Sequence, residues 1–151
     1  MLNDIFNILS GRKQTAFVQV AALCLRPTKA GQEVLLVKTL RTGGWVIPKG
    51  WPMPGKTLAE AAACEAWEEA GATGDIGTKP IGGFTYTKIR KSGVPVQCRA
   101  QVFLMQTHHA AHDYPEAAKR TRQWTRLDKA ATMVRDAELA EILLDLENAE
   151  A

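Results

Sequence analysis

The sequence predicts an α+β domain, a mixed β-sheet covered by helices. Three observations predict it. Apolar, β-branched runs are interleaved with helical patterns along the chain. Several of those runs are separated only by short Gly- and Pro-containing turns. One stretch, Thr57 to Ala70, has a helical pattern with a clearly marked start. Hairpins join antiparallel strands, so their presence argues against a purely parallel sheet.

The elements follow in order. "MLNDIFNILSGRK" has an apolar pattern but neither a long apolar core nor a small-residue cleavage site, so it does not read as a signal peptide. It predicts a short amphipathic helix from Asn3 to Leu9, ended by Gly11, as an extension over residues 1–11 that packs on the domain. "TAFVQVAALCL", Thr15 to Leu25, reads as a strand. "RPTKAGQ" is a turn punctuated by Pro27 and Gly31, and "EVLLVKT" is the second strand of a hairpin. "RTGGWVIPKG" is a loop with a short strand at Trp45 to Ile47. Ile81 to Ile89 and Val96 to Thr107 are two more strands, joined by the basic turn "RKSGVP". "HHAAHDYPEAAKR" is a polar loop, "TRQWTRL" a last short strand, and Asp136 to Glu147 a C-terminal amphipathic helix. No repeat, low-complexity tract or linker interrupts the pattern.

The bulk properties bound the function. A length of 151 residues predicts one domain, residues 1–151, able to bury a sizeable core. A net charge of +3 suits an anionic small substrate and is too weak to indicate nucleic acid. The three cysteines, Cys24, Cys64 and Cys98, form no Cys-x-x-Cys pair, which argues against a disulfide framework or a structural zinc site. A reducing, cytoplasmic compartment is the expectation. No apolar run reaches transmembrane length, so no membrane partner is expected.

The helix at Thr57 carries the strongest chemical signal. "TLAE" is a capping box, with Thr57 capping the amide of Glu60 and Glu60 reaching back. Ala59, Ala62, Ala63, Ala66 and Ala70, with Leu58, form the stripe expected to be buried. Glu65, Glu68 and Glu69 lie at i, i+3 and i+4, on one face beside that stripe. Lys56, Glu60, Cys64 and Trp67 project on a third side. Glutamates often simply face water. Three together repel, however, by about 4 kcal/mol per pair at 4 Å and an effective dielectric near 20. A solvated face would dilute this with Lys or Arg at i+4, and the helix offers Glu69, Ala72 and Thr73 instead. A hard divalent cation would resolve the repulsion through oxygen ligands.

For an anionic ligand, the cations best placed along the chain are Arg41 and Lys49, flanking the short strand, and Arg90 and Lys91 in the basic turn. Both pairs are expected to face one cleft and to supply charge-assisted contacts to an anion. Trp45 and Trp51 could stack on a base, but packing is the better reading. His108, His109 and His112 follow a strand in a polar loop without a partnering Cys, and read as solvated. Glu116 could be a base, but a solvated loop charge is the simpler reading.

Gly50 to Ala72 resembles the Nudix box: a Gly, five residues, a Glu, seven residues, Arg-Glu, an apolar residue, any residue, Glu-Glu, any residue, Gly and an apolar residue. Gly50, Glu65, Ala66, Glu68, Glu69, Gly71 and Ala72 all fall in register. "ALCLR", "EVLLVKT", "GGWVIPKG" and "RTRQWTRLDKA" resemble segments of the diphosphoinositol polyphosphate phosphohydrolase branch. The resemblance covers most of Thr15 to Leu146. It implies an α/β/α sandwich around a mixed sheet, and a metal-dependent enzyme that hydrolyses a pyrophosphate linkage in a phosphate-rich small molecule. By position, the Glu65 and Glu69 carboxylates and the Gly50 carbonyl would hold Mg²⁺ or Mn²⁺, and Glu68 would be the base. Diphosphoinositol polyphosphate and dinucleoside polyphosphate are the competing substrates, the second because "PKG" also resembles diadenosine tetraphosphate hydrolases. Lys56 replaces the first Glu of the box and Cys64 its Arg. These departures keep open a silenced ligand-binding or regulatory module, although retention of Glu68 argues against it.

Overall fold

The structure, a computed structural model, describes residues 16–150; the helix expected at Asn3 to Leu9 lies outside them. Eight strands form one sheet: β1 (Phe17–Thr28), β2 (Gly31–Lys38), β3 (Trp45–Val46), β4 (Lys49–Gly50), β5 (Ala72–Ile76), β6 (Gly82–Ile89), β7 (Pro95–Ala110) and β8 (Arg122–Arg126). Among the described residues, three helices cover it: α1 (Leu58–Ala70), α2 (Leu127–Met133) and α3 (Ala137–Glu150). The sheet is mixed, as the sequence predicts. β1 runs parallel to β7, with Phe17 opposite Cys98 through Leu25 opposite Gln106. The β1–β2, β2–β8, β5–β7 and β6–β7 pairs are antiparallel.

β1 is the centre of the molecule. Gln19 through Leu25 is buried without a break, so helices or strands cover both faces of the sheet there. α1 packs on β1, β4 and β5, while α2 and α3 pack on each other and reach β2 and β6. No helix among the described residues is long and apolar enough to cross a membrane.

Three elements were not legible beforehand. β4 is two residues long, pairing Gly50 with Val20 and Lys49 with Ala21. β5 follows α1 directly, and its "ATGDI" is short, with Ala72 alone fully buried, so it carries little apolar signal. α2 extends the last short strand, with Leu127 and Ala130 buried. The polar loop expected from His108 begins only after Ala110, because β7 continues there alongside β5. In α1, Ala61 is as fully buried as Ala62, whereas Ala63 is only half-buried, so the apolar stripe is rotated slightly from the expected one.

Candidate active site

The start of α1 is fixed as its sequence dictates. The Thr57 amide donates to Glu60 Oε1 at 2.8 Å, and the Glu60 amide donates to Thr57 Oγ1 at 3.1 Å. Its end is fixed by Gly71 in the left-handed region, φ 68°. A Cβ there would also lie 2.6 Å from the Tyr114 ring, so the segment after β7 seats on this glycine. The Ala111 amide donates to the Gly71 carbonyl, and Arg122 Nη1 donates to the Ala70 carbonyl at 2.6 Å. Helix and loop are thereby locked together beneath the acidic face.

On that face Glu65 and Glu69 are buried, at 8% and 6% exposure, while Glu68 is half-buried. They are not a solvated surface. β4 passes directly over them. The Lys49 amide donates to Glu69 Oε1 at 3.3 Å, and a Cβ on Gly50 would lie 2.3 Å from the Glu65 carboxyl carbon. Any larger residue there would have to displace that carboxylate or β4.

The two carboxylates differ in compensation. Glu69 has Arg120 Nη2 at 3.6 Å and Lys49 nearby, although burial still holds its carboxyl above the ordinary value. Glu65 has no ion-pair partner among the described residues. Burial, reinforced by the Glu69 charge, pushes its carboxyl up to about 8. Tertiary contacts alter the charge balance expected from the helix face. Cations are absent from the helix face, but tertiary structure brings two to Glu69 and none to Glu65, whose carboxyl therefore keeps its proton to higher pH.

Glu116 is also corrected. It is half-buried, not solvated; its amide donates to the Glu68 carbonyl at 2.9 Å and its carboxylate accepts from Arg120 Nε at 2.7 Å. Its charge raises both Glu65 and Glu69.

Glu65, Glu69 and Arg120 line the floor of an open cleft of about 610 Å³, whereas Glu68, the expected base, and Glu116 lie outside its lining. Arg41 and Lys49 line it. Arg41 Nη1 donates to the Ile89 carbonyl at 3.0 Å, tying the β2–β3 loop to β6. The Lys49 ammonium lies 4.6 Å from the centre of the Tyr86 ring, and burial lowers its pKa from the ordinary 10.5, with the Glu69 charge opposing that shift. Contrary to the expectation of a shared cleft, Arg90 and Lys91 do not line this one. They line an adjoining groove that shares Trp51, Lys88 and Ile89 with it. Arg90 is held between aromatic rings, its guanidinium carbon 5.4 Å from the centre of Phe17 and 5.9 Å from that of Trp51. Trp51 itself packs edge-on against Phe17, while Lys38 sits over Trp45. His108 and His109 are exposed on β7 and His112 in the loop, with His108 paired to Asp75 at 2.8 Å. Lys56 is exposed just before the Thr57 cap of α1, and Cys64 is half-buried within the helix.

The sequence reading missed Gln19, Tyr86, Lys88, Arg120, Arg135 and Asp136, all of which line the cleft. Gln19 had a signal, a lone amide within an apolar strand; it is 1% exposed and accepts a hydrogen bond from the Tyr86 hydroxyl. Arg120 had one too, four residues after Glu116. Asp136 had none, since it reaches the cleft only because α3 begins there.

Among the described residues no three His, Cys, Asp or Glu side chains converge with the spacing of a metal centre. The fit for a divalent cation rests on two adjacent buried carboxylates, one uncompensated, with the β4 backbone against them. That donor set is all oxygen, as Mg²⁺ or Mn²⁺ requires.

A helix presenting buried carboxylates beneath a basic-walled cleft defines a class of site suited to phosphate-rich anions. The chain belongs to the NUDIX domain family, whose model matches residues 17–146. It is 31% identical to Nudix hydrolase 12, mitochondrial, of Arabidopsis thaliana over 107 residues, covering 68% of this chain and 52% of that protein. It is 30% identical to mouse diphosphoinositol polyphosphate phosphohydrolase 3-alpha over 115 residues, covering 74% of this chain and 65% of that one. The chain thus spans about half the length of the plant relatives it matches. Among solved structures, the Caenorhabditis elegans Ap4A hydrolase superposes with a TM-score of 0.62 at 21% identity, covering 91% of this chain and 100% of that one. The NUDIX domain of Shewanella oneidensis NrtR, complexed with ADP ribose, gives 0.64 at 15%, covering 95% and 97%. At these identities the likeness is one of fold, and it agrees with the α+β architecture expected from the sequence.

Proposed function

We propose that the protein is a metal-dependent pyrophosphohydrolase that cleaves a phosphoanhydride in a phosphate-rich small molecule. The observation that carries this reading is the Glu65–Glu69 pair, buried under β4 at the floor of a cleft whose walls carry Arg41, Lys49, Lys88 and Arg135. Buried carboxylates are costly, and a fold keeps an uncompensated one where something positive is to be bound. Glu65, Glu69 and the Gly50 carbonyl would hold Mg²⁺ or Mn²⁺. Bound there, the ion supplies charge neutralisation for the phosphoanhydride and makes water more acidic.

The chain's own residues do the rest. Glu68, one residue from Glu69 and less buried, takes the proton from the attacking water. The water oxygen bonds to phosphorus, the bridging P–O bond breaks, and the second phosphate leaves with its electron pair. Arg41 and Lys49 hold phosphate oxygens in the cleft. Arg90 and Lys91 hold phosphates that extend into the adjoining groove.

Within this class we favour a diphosphoinositol polyphosphate-like substrate, with a dinucleoside polyphosphate as the second candidate. The relatives named as diphosphoinositol polyphosphate phosphohydrolases support the first, and so does the groove, lined by Lys88, Arg90 and Lys91 without an acid. The "PKG" at Pro48 to Gly50, which resembles diadenosine tetraphosphate hydrolases, keeps the second in play. Three unpaired thiols fit a reducing, cytoplasmic compartment. The test is phosphate release with Mg²⁺ or Mn²⁺ from inositol pyrophosphates, dinucleoside polyphosphates, nucleotide sugars and nucleoside triphosphates. Turnover of an inositol pyrophosphate above the others is expected. Binding without turnover of any would establish a silenced ligand-binding module instead.

A further inference from the structure

Arg120 is 13% exposed, and each of its three guanidinium nitrogens has its own partner. Nε donates to Glu116 Oε1 at 2.7 Å, Nη1 donates to the Lys38 carbonyl at 3.0 Å, and Nη2 lies 3.6 Å from Glu69 Oε2. One side chain therefore joins the loop after β7, the end of β2 and the acidic face of α1. The same loop is held to α1 by the Glu116 amide on the Glu68 carbonyl, and to β2 by the Lys38 amide on the Thr121 carbonyl. A lysine could satisfy only part of this fork.

Arg120 also offsets charge. It lies between two carboxylates, Glu116 at 2.7 Å and Glu69 at 3.6 Å, and Glu69 lines the cleft floor beside Glu65. Without Arg120 the cluster would carry one more uncompensated negative charge. Glu116 would lose its side-chain partner, and Glu69 would keep the Lys49 amide alone as its hydrogen-bond donor.

We propose that Arg120 is the positioning residue of this site, holding Glu69 and Glu116 in place and offsetting part of the acid cluster's negative charge. The inference rests on the hydrolase reading above. Its physical content is a compromise. A cluster with more uncompensated carboxylates binds a divalent ion more tightly but leaves that ion less net charge to act on an anionic substrate.

The test is calorimetric titration of the full chain with Mn²⁺, alongside steady-state turnover of whichever substrate the screen identifies. Arg120→Gln is expected to bind Mn²⁺ several-fold more tightly while kcat falls roughly tenfold or more. Arg120→Lys should return Mn²⁺ affinity towards that of the wild type but recover turnover only in part, because it lacks the fork. Glu116→Gln changes the charge in the opposite sense and should bind Mn²⁺ several-fold more weakly; it decides the matter should Arg120→Gln fail to fold. An arginine with a merely structural role would lower the melting temperature without tightening Mn²⁺ binding. Unchanged or weaker affinity in Arg120→Gln, or unchanged affinity in Glu116→Gln, overturns the proposal. A wild type that binds no Mn²⁺ overturns the hydrolase reading itself and this inference with it.

Discussion

The Glu65 carboxylate lies directly against the Cα of Gly50, in the space a side chain would fill; a methyl group there would sit 2.3 Å from both its carboxyl carbon and Oε1. The box glycine and the first box carboxylate are thus one structural unit, separated by 15 residues in sequence and joined by the pairing of β4 with β1. Gly50→Ala is expected to destabilise the protein by about 1–3 kcal/mol, since β4 or Glu65 must move. It should also reduce kcat by more than roughly tenfold, because the displaced group is in the site. Urea unfolding and initial rates would check this, and wild-type values in both would show that the contact is dispensable.

Glu65 makes stability depend on pH. Its carboxyl is pushed up to about 8 by burial and by Glu69, from an ordinary 4.5. Between those values the folded chain holds a proton that the unfolded chain has lost. This contribution to stability is therefore complete below the unfolded value and declines as pH rises towards the folded one, by no more than about 1.4 kcal/mol per pH unit. Thermal melts in a chelator from about pH 5 to about pH 8 should show a falling midpoint, and Glu65→Gln should flatten the trend. Parallel curves for the two proteins would place the ionisation elsewhere.

Glu65, Glu68 and Glu69 should separate by role. Glu65→Gln and Glu69→Gln should each weaken Mn²⁺ binding in calorimetry, because each removes charge from the buried pair. Glu68→Gln should leave that affinity within a few-fold of the wild type and reduce kcat by about 10²–10⁴-fold, as expected for loss of a general base. Equal metal affinity in all three variants would reduce the acidic face to a structural one.

The adjoining groove yields a substrate prediction. Arg90 and Lys91 lie outside the main cleft, so Arg90→Ala combined with Lys91→Ala should raise KM for a highly phosphorylated substrate and alter it little for one with few phosphates. kcat should be nearly unchanged for both, since the contacts are made equally in ground and transition states. A uniform rise in KM across substrates would assign these residues to general attraction of anions.

Cys64 stands half-buried on a side of α1 distinct from the acidic face. The capping box and the seat of Tyr114 on Gly71 already fix the two ends of that helix. Cys64→Arg should therefore change kcat only modestly, within about tenfold in either direction. Turnover that appears only when Cys64→Arg is combined with Lys56→Glu would mark the wild type as a silenced enzyme.

Much of this site was legible in local sequence. Thr57 and Glu60 begin α1 through bonds that span three residues, Gly71 ends it through a backbone angle, and the i, i+3, i+4 spacing puts Glu65, Glu68 and Glu69 on one face. The apolar, β-branched β1 and its hairpin with β2 were likewise visible, because strand patterning is local. Tertiary structure alone decided what meets that face. β4 is too short to carry a pattern, and it exists because Gly50 and Lys49 find Val20 and Ala21 across the sheet. Arg120 reaches Glu69 from 51 positions away, and Asp136 reaches the same cleft from the start of α3. Helix periodicity could place three like charges side by side, but their compensation came from side chains on other elements. Coulomb interactions depend on distance in space, and that distance is set by the packing of the whole domain.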